Sequence, residues 1–430
     1  MKILHLSNYY PPFYEGSTEI QCQQLVEQLG KKSDRQQQVL TSDYVPQETG
    51  GSGRIRHVFR EIQIAEREER QEGVFRELTL HKNSSTDNSF WKLYRQERHN
   101  VEVFRRRIDE FRPDLIFVWG FQGLSGSLLF SIDQCGIPCA YGVLNKWLTL
   151  WLKKEPWLDM WYHDSHTNES MFKHLIESMH LSESIRRKAP FGNPRKICLQ
   201  RSFFCSESLR YLTGREGFAV SDAEVIPCGV PVEKFYPKST YPDRLRHLLY
   251  LGRLNEDKDP MTAVNALEIL HRKGHREFTL DIHGRGEPAY ESRLHDAIRR
   301  SNLRGAVGFK ETSEEQQHVT LYSYDMLLST SKWTEPFPLM QLKAMAAGLP
   351  VISTLEGGHA ELIRDRENAL AFKTSNPEDL ANKILELSSD PELVKKLTTA
   401  AHEEVQSKYS LSHVANRVES FIEKSLHTAA

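Results

Sequence analysis

Short apolar stretches that predict buried β-strands alternate along this chain with amphipathic stretches that predict helices. In the first third of the chain, strands are predicted at Lys2–Leu6, 38–41, Leu115–Val118 and 138–143, and helices at 18–30 and Phe90–Phe111. Strands joined through helices pair in parallel, because the helical crossover returns the chain to the same end of the sheet. The alternation therefore predicts an α/β fold built from doubly wound parallel sheets.

A strand–turn–helix–strand unit in the second half of the chain holds an acidic residue just before its helix. Strands are predicted at 325–329 and Val351–Ser353, with an Ala- and Met-rich helix between them. Glu335 lies in the polar turn that leads into this helix. The first N–H groups of a helix have no partner inside it and attract anions. The pattern predicts a helix start that can hold phosphate, with the chemistry beside Glu335.

Two cationic side chains follow another predicted strand, at 248–251. Arg253 offers a planar fork of donors and Lys258 a compact ammonium, a pair suited to holding a diphosphate. A second interpretation makes both residues solvated surface cations beside Glu256 and Asp257, as in many strand-end loops. This stretch alone leaves both interpretations open.

Four segments in this order resemble the motifs of the retaining glycosyltransferases of family 4, which share the two-domain GT-B fold. They read MKILHLSNYYPPFYEGS at the start, VIPCGVPVEKFYP at 225–237, LGRLNEDK at 251–258 and EPFPLMQLK at 335–343. The likeness covers the C-terminal half and, more faintly, the first 25 residues and the region 112–141. It implies two Rossmann-like doubly wound parallel-sheet domains that face each other across a cleft.

The turn formers at 227–237 predict the domain boundary. By the resemblance, residues 1–228 form an acceptor-side domain and residues 229–411 a nucleotide-sugar-binding domain. The helix predicted at 412–426 packs back on the first domain, as terminal helices do in GT-B relatives.

The function implied by the resemblance is transfer of a sugar from a nucleoside-diphosphate sugar to a hydroxyl acceptor, with retention at the anomeric carbon. Arg253, Lys258 and the helix amides would stabilise the departing diphosphate, and Glu335 would position the donor sugar. Two cations and a helix start do this without a metal ion, so we expect neither a metal nor a cofactor. Donor binding is assigned to Gly16, Gly252, Gly284, Gly286, Phe337, Pro338, Leu339 and Lys343, and the acceptor side to Ser17, Asn145 and His163.

The glycines of the pair Gly284 and Gly286 follow a predicted strand at Thr279–His283. A tight strand-to-helix turn that needs positive φ explains them as well as an approach to the ligand does. Asn145 stands where many relatives have an Asp. An amide can hydrogen-bond a hydroxyl but cannot act as a base.

Three departures from the family pattern matter for donor binding. Lys343 stands where relatives have a Glu that accepts from the ribose hydroxyls, and an ammonium only donates. Lys343 would instead meet a phosphate or pair with Glu361. Pro338 replaces a glycine at the helix start and removes one amide donor. Gly16 is a single glycine in a turn where relatives have two.

These departures leave two alternatives to a transferase. One is a non-catalytic GT-B protein that binds a sugar or nucleotide or serves as a scaffold. The other is a sugar phosphorylase or a sugar-nucleotide epimerase on the same fold. We favour the transferase because Arg253, Lys258 and Glu335 are all present.

Two further stretches have a functional and a structural interpretation. Trp147, Trp151, Trp157 and Trp161 form an acceptor wall or the apolar face of packed helices, and their spacing favours packing. The run Arg105-Arg106-Arg107 is a basic surface for an anionic acceptor or a membrane, or a solvated helix face neutralised by nearby acids. We favour the solvated face, with weak peripheral contact with a membrane as the alternative.

Composition limits the remaining classes of function. The 430 residues carry 56 Lys and Arg against 58 Asp and Glu, a net charge of −2, so nothing indicates a nucleic-acid partner. No apolar run reaches the roughly 20 residues of a transmembrane helix, and the start lacks the apolar core of a signal peptide. The six cysteines are scattered, without pairs that indicate disulfides or structural zinc. We therefore expect a cytoplasmic protein.

Overall fold

The computed structural model describes residues 1–31, 34–44, 73–81, 89–162, 182–238 and 240–427. Contacts divide the chain into two compact units. The first comprises Met1–Cys205, Leu209–Ile226 and Ala415–Ala430, and the second comprises Ser206–Ser208 and Pro227–Val414. The main change of unit thus falls at Ile226 and Pro227, among the turn formers of the predicted boundary.

The first unit is built on a seven-stranded parallel sheet. Its strands are β1 (Lys2–Leu6), β2 (Gln36–Ser42), β3 (Val74–Leu78), β4 (Leu115–Val118), β5 (Cys139–Val143), β6 (Ser202–Phe204) and β7 (Glu224–Val225), in the order β3-β2-β1-β4-β5-β6-β7. All four residues of β4 are buried, because helices cover both faces of a doubly wound sheet. The order reverses between β1 and β4, which is the Rossmann pattern.

The helices wholly or mostly in this unit are Ser17–Gly30, Phe90–Phe111, Gly126–Gln134, Pro156–Tyr162, Ser182–Lys188, Glu207–Arg215 and Leu411–His427. Single turns of other helix types occur at Trp147–Trp151 and Pro194–Lys196. The helix Phe90–Phe111 ends at Phe111 as predicted, and the capping residue Arg112 takes a left-handed φ of 51° before Pro113.

The second unit repeats this architecture with a six-stranded parallel sheet. Its strands are β8 (His247–Leu251), β9 (Thr279–His283), β10 (Val307–Lys310), β11 (Met326–Ser329), β12 (Val351–Ser353) and β13 (Leu370–Ala371), in the order β10-β9-β8-β11-β12-β13. Its helices are Pro260–Arg272, Pro288–Arg300, Gln317–Tyr322, Leu339–Ala346, His359–Leu362, Pro377–Ser389 and Pro391–Lys408, with short 3₁₀ turns at Val232–Lys234 and Glu314–Gln316. Two Rossmann-like parallel-sheet units confirm the predicted fold class.

The last helix, Leu411–His427, belongs to the first unit from Ala415 onward. Val418, Phe421 and Ile422 are buried there, and the Phe421 ring packs against Phe117 and Phe203. Apolar residues three and four apart form this buried stripe.

The tryptophans of the aromatic-rich stretch belong to the core. Trp147, Trp151, Trp157 and Trp161 are exposed by 1, 8, 0 and 6%. The packing interpretation is therefore confirmed for these side chains, and none of them lines a surface.

Two of the three arginines in the run on Phe90–Phe111 pair with acids within the first unit. The guanidinium groups of Arg106 and Arg107 both bind the Glu77 carboxylate, and Arg107 also stacks 3.7 Å over the Phe75 ring. This pairing supports the interpretation as a polar helix face. Within the described ranges, no helix is both long enough and apolar enough to cross a membrane.

Candidate functional site

The order of the second sheet places its two central strands beside a crevice. From β8 the chain crosses to β9 on one side, and from β11 it crosses to β12 on the other. The loops that follow β8 and β11 therefore diverge and leave space between them, which is where open α/β sheets bind ligands. The loop after β8 carries Arg253 and Lys258, and the loop after β11 carries Glu335.

Hydrogen bonds between these two loops fix the backbone of Lys258. The Thr330 hydroxyl donates to the carbonyl oxygens of Lys258 and Asp259 at 3.0 and 2.8 Å. The backbone N–H of Lys332 donates to the carbonyl of Asp257 at 2.9 Å. These hydrogen bonds hold the two loops in one arrangement, apart from any contact between the side chains of Lys258 and Glu335.

Lys258 and Glu335, 77 residues apart in sequence, form an ion pair at this point. The ammonium of Lys258 donates to Oε1 of Glu335, and each side chain is 20% exposed. Partial burial strengthens such a pair relative to one at the open surface. The pair presents a positive and a negative group side by side at the end of the sheet.

The pKa of Glu335 is lowered from 4.5 to about 2. Burial alone would raise it, but the charge of Lys258 and the hydrogen bonds from His359 and Lys258 outweigh burial. Glu335 is therefore a carboxylate at neutral pH and an acceptor of hydrogen bonds.

A second partner of Glu335 is His359, a residue that the sequence analysis missed. Its Nε2 lies 2.9 Å from Oε2 of Glu335, and its Nδ1 lies 3.1 Å from the Ser353 hydroxyl at the end of β12. His359 is fully buried. Since both oxygens of Glu335 have a partner, the carboxylate has a fixed orientation.

Gln341 completes this buried group from the helix Leu339–Ala346. Its amide donates to the Ser329 hydroxyl and lies 3.5 Å from Nε2 of His359. The amide thus links the end of β11 to the imidazole that orients Glu335. Gln341 is 4% exposed, so it supports the site from the interior of the protein.

The glycine pair before His359 is the sequence signal for this arrangement. Gly357 has φ +63°, and a Cβ on it would lie 2.8 Å from the backbone N and O of Glu335. A Cβ on Gly358 would lie 2.3 Å from the carbonyl oxygen of Pro336. Only glycines allow this segment to pass against the backbone of Glu335 and to place His359 behind it.

The predicted donor-side glycines also lie where two backbones meet. A Cβ on Gly284, whose φ is +153°, would lie 1.9 Å from the carbonyl oxygen of Gly252. A Cβ on Gly286 would lie 1.8 Å from the carbonyl oxygen of Leu254. The backbone N–H of Leu254 donates to the Arg285 carbonyl at 2.9 Å. Positive φ is thus required at Gly284, whereas close approach of the loop after β8 explains Gly286.

The second predicted cation, Arg253, is exposed on the same loop as Lys258. Its backbone carbonyl accepts from the Tyr250 hydroxyl at 2.8 Å, which fixes the main chain beneath the side chain. Asp257 and Asp259 flank Lys258, but Asp259 is buried and accepts from the Thr262 hydroxyl at 2.7 Å. Asp259 therefore faces its own helix.

The helix after Glu335 begins one residue later than expected. Pro338, predicted as its first residue, is the capping residue before Leu339 and accepts from the backbone N–H of Leu342 at 3.1 Å. Phe337 is 7% exposed. The N–H of Leu339 itself donates to the Phe337 carbonyl at 3.1 Å, so the remaining N–H groups at the start of the helix belong to the residues after Leu339.

Lys343 lies on the same helix but does not pair with Glu361, so that alternative is wrong. Its ammonium binds the Glu314 carboxylate and lies 2.7 Å from Oε1 of Gln317. Lys343 is 7% exposed. The charge that replaces the family's Glu is thus balanced by an acid from the 3₁₀ turn Glu314–Gln316.

The acceptor-side residues and Gly16 belong to the first unit. Gly16 caps the helix Ser17–Gly30 in an extended conformation, and its N–H donates to the Glu19 carboxylate at 3.0 Å. Ser17 is exposed in the first turn. Asn145 accepts from the backbone N–H of Trp147 at 3.1 Å. His163 lies outside the described residues.

Comparison with known proteins matches the second unit to a family. Residues 233–404 match the model of the family described as glycosyl transferases group 1. The spore coat protein SA of Bacillus subtilis is 26% identical over 234 residues, which cover 50% of this chain and 62% of that protein. The D-inositol 3-phosphate glycosyltransferase of Corynebacterium jeikeium is 24% identical over 297 residues, which cover 63% and 68%. The match thus spans somewhat under two thirds of the length of the first relative and just over two thirds of the length of the second.

A solved structure with the same fold matches almost the whole chain. HepE of Anabaena in complex with UDP-glucose aligns with a TM-score of 0.66 at 17% identity, covering 99% of this chain and 100% of that one. This likeness confirms the GT-B fold. The chain thus has the GT-B fold, and its residues 233–404 are similar to the glycosyl transferases group 1 family.

Proposed function

We propose that this protein is a retaining, metal-independent glycosyltransferase that moves a sugar from a nucleoside-diphosphate sugar to a hydroxyl acceptor. The observation that carries the proposal is the contact between Lys258 and Glu335 at the point where the strand order of the second sheet reverses. The two side chains come from separate loops, so it is the order of the strands in the sheet that brings them into contact.

The positive groups suit the leaving diphosphate. Sugar transfer leaves negative charge on the phosphate oxygen as the glycosidic bond breaks, and fixed donors aimed at that charge lower the barrier. Arg253 is exposed on the loop after β8, and Lys258 extends from the same loop. The first turn of the helix Leu339–Ala346 adds the backbone N–H groups that follow Leu339.

The carboxylate suits the donor sugar. Glu335 is ionised at neutral pH, since its pKa is about 2, and an ionised carboxylate accepts hydrogen bonds from sugar hydroxyls. His359 and Lys258 hold its two oxygens in place. Glu335 thus positions the sugar, while a phosphate oxygen of the leaving group takes the proton of the acceptor hydroxyl. That assignment implies attack from the face of the leaving group and retention of configuration.

The relatives guide the choice of substrates for a test. HepE is named in complex with UDP-glucose, and a curated relative is named for D-inositol 3-phosphate. We propose a UDP-sugar as the first donor to test and an inositol phosphate among the acceptors. Synthesis of a glycan, a glycolipid or a glycosylated metabolite in the cytoplasm is the proposed setting.

The experiment measures nucleoside diphosphate released from a panel of donor sugars, with several acceptors, in magnesium and in EDTA. We expect release with one class of donor, undiminished in EDTA. Lys258→Ala and Glu335→Gln should each lower kcat by about 100-fold or more, because they remove interactions made in the transition state. Lys273→Ala is the control, since Lys273 pairs with the exposed Glu378 on a distant helix end and should leave kcat unchanged.

The other outcomes separate the alternatives. Wild-type kcat in Lys258→Ala or Glu335→Gln would show that this site is not the catalytic one. Turnover that requires inorganic phosphate and no nucleotide would indicate a phosphorylase, and nucleotide binding without turnover of any donor would indicate a non-catalytic protein. An inverted anomeric carbon in the product, read by NMR, would contradict retention.

A further inference from the structure

A second cluster of ionisable side chains lies inside the first unit. His81 follows β3, Glu97 lies on the helix Phe90–Phe111, and Glu155 immediately precedes the helix Pro156–Tyr162. Their exposed fractions are 8, 0 and 0%. Burying ionisable side chains this close together costs folding free energy unless opposite charges or hydrogen bonds compensate for the lost hydration.

The three side chains converge on one point. Nε2 of His81 lies 2.7 Å from Oε1 of Glu97 and 3.1 Å from Oε1 of Glu155. One nitrogen and one oxygen from each carboxylate all lie within 4.8 Å of one another. The arrangement is a small set of nitrogen and oxygen atoms around a common centre.

Helix starts hold both carboxylates in this orientation. Oε2 of Glu97 accepts from the backbone N–H of Ser127 at 2.8 Å, and Oε2 of Glu155 accepts from that of Leu158 at 2.7 Å. Each acid thus uses one oxygen to cap a helix and turns the other toward His81. A set of ligand atoms fixed by hydrogen bonds behind them is typical of metal sites.

Glycine makes room for one of these acids. A Cβ on Gly126, at the start of Gly126–Gln134, would lie 2.6 Å from Oε2 of Glu155 and 2.7 Å from Cγ of Leu158. The carboxylate therefore fits only because position 126 has no side chain.

One carboxylate oxygen of the cluster lacks a donor. Oε1 of Glu155 is buried and has no hydrogen bond among the described residues. The neighbouring Nε2 of His81 has a single hydrogen, and its hydrogen bond goes to Glu97. An unsatisfied buried carboxylate oxygen carries the full cost of its lost hydration. Two acids also outnumber the one base of the cluster.

We propose that His81, Glu97 and Glu155 bind a divalent metal ion of the zinc type. One imidazole and two carboxylates form a three-ligand set that leaves a fourth position for water. In a tetrahedral zinc site, ligand atoms lie about 3.3 Å apart, given metal–ligand bonds of about 2.0 Å. The separations of 2.7 and 3.1 Å would have to widen by about 0.6 and about 0.2 Å to reach that value. The ion would also satisfy Oε1 of Glu155.

The role of such an ion is structural. It would join the end of β3, the helix Phe90–Phe111 and the segment before Pro156–Tyr162, which carry the three ligands. The metal independence proposed for sugar transfer concerns the site around Glu335 and is a separate question.

The first measurement is the metal content of the full-length protein, purified without chelator and dialysed, by inductively coupled plasma mass spectrometry. We expect about one zinc-type ion per chain. Glu155→Gln keeps the shape of the side chain but weakens the ligand, and it should lower the content several-fold. Glu77→Gln, which removes a carboxylate bound to Arg107 in the same unit, is the matched control and should retain the ion.

The second measurement is the melting temperature of protein stripped with EDTA and then exchanged into Zn²⁺. Zn²⁺ at about 100 times its Kd should raise Tm by roughly 5 °C in the wild type and in Glu77→Gln. The rise should be absent in Glu155→Gln. This experiment needs no variant for its main result, so it stands even if Glu155→Gln fails to fold.

Two results would overturn the proposal. Wild-type protein that holds no metal and shows no change of Tm with Zn²⁺ would mean that a proton on His81 balances the two acids. Metal that is retained equally in a folded Glu155→Gln would place the ion elsewhere in the chain.

Discussion

At the scale of the residue, the carboxyl of Glu335 decides how the site depends on pH. Its pKa is about 2 in the folded protein, against an ordinary value of 4.5. A group whose pKa is lowered by folding stabilises the folded state above its ordinary pKa. That stabilisation is lost as pH falls toward the folded value. Loss of the pair with Lys258 should therefore appear only in acid.

We predict a specific difference between the wild type and Glu335→Gln. The gap between their free energies of unfolding should be constant above about pH 5.5 and should shrink as pH falls from about 4.5 to about 2. Urea denaturation over this range measures the gap, and Glu378→Gln at an exposed ion pair is the control. A gap that stays constant down to about pH 3 would show that Glu335 is not held as an ionised partner of Lys258.

Single residues also show what the sequence can predict about the site. Lys258 and Glu335 lie in recognisable motifs after predicted strands, so the sequence alone predicts them as site residues. It does not predict His359 and Gln341, because their contacts cross 24 and 18 residues and depend on how the chain bends at Gly357 and Gly358. The same holds for His81, Glu97 and Glu155, which share no local spacing that indicates a metal.

At the scale of the element, the loops after β8 and β9 depend on glycines for their contact. Gly284 has φ +153°, and a Cβ there would lie 1.9 Å from the carbonyl oxygen of Gly252. The loop that carries Arg253 and Lys258 would have to move to accept any side chain at position 284.

We predict that Gly284→Ala lowers stability by about 2 kcal/mol or more and weakens nucleotide binding at least about tenfold. Gly305→Ala is the matched control, because open space surrounds that position and its φ is not in the left-handed region. Chemical denaturation and calorimetric titration with nucleotide measure the two effects. Equal stability and affinity in the two variants would mean that the loops do not meet as described.

Elements were more predictable from sequence than contacts. Strands such as Leu115–Val118, Thr279–His283 and Val351–Ser353 have the predicted bounds, because apolar runs between turn formers leave few alternatives. Pro338 shows where prediction is weaker, since the helix begins one residue later at Leu339. The pairing of Lys343 with Glu314 joins a helix to a 3₁₀ turn 29 residues away, which periodicity does not reveal.

At the scale of the whole molecule, each unit has its own sheet and core. The first unit includes the chain from Ala415 onward, so its core is assembled from both ends of the sequence. Val418, Phe421 and Ile422 are buried in it, and each contributes about 2 kcal/mol by leaving water. Arg35 and Glu419 add an ion pair with 4 and 9% exposed side chains.

Deletion of residues 415–430 is therefore expected to unfold the first unit and to leave the second. In a calorimetric scan, the deletion variant should lose one transition and keep the other near its original temperature. A deletion of 428–430 alone, which removes none of the buried residues named above, is the control. An unchanged scan for the longer deletion would contradict the assignment of this helix to the first core.

The most direct test of the account is the melting temperature of the protein with UDP, GDP, ADP, CMP and dTDP, each in magnesium and in EDTA. A ligand that binds only the folded state raises Tm. We predict that one nucleotide raises Tm equally in both conditions, relative to the same buffer without nucleotide, and that Lys258→Ala and Arg253→Ala abolish the rise. If no nucleotide raises Tm, or if the rise persists in both variants, the loops after β8 and β11 do not form a nucleotide-sugar site.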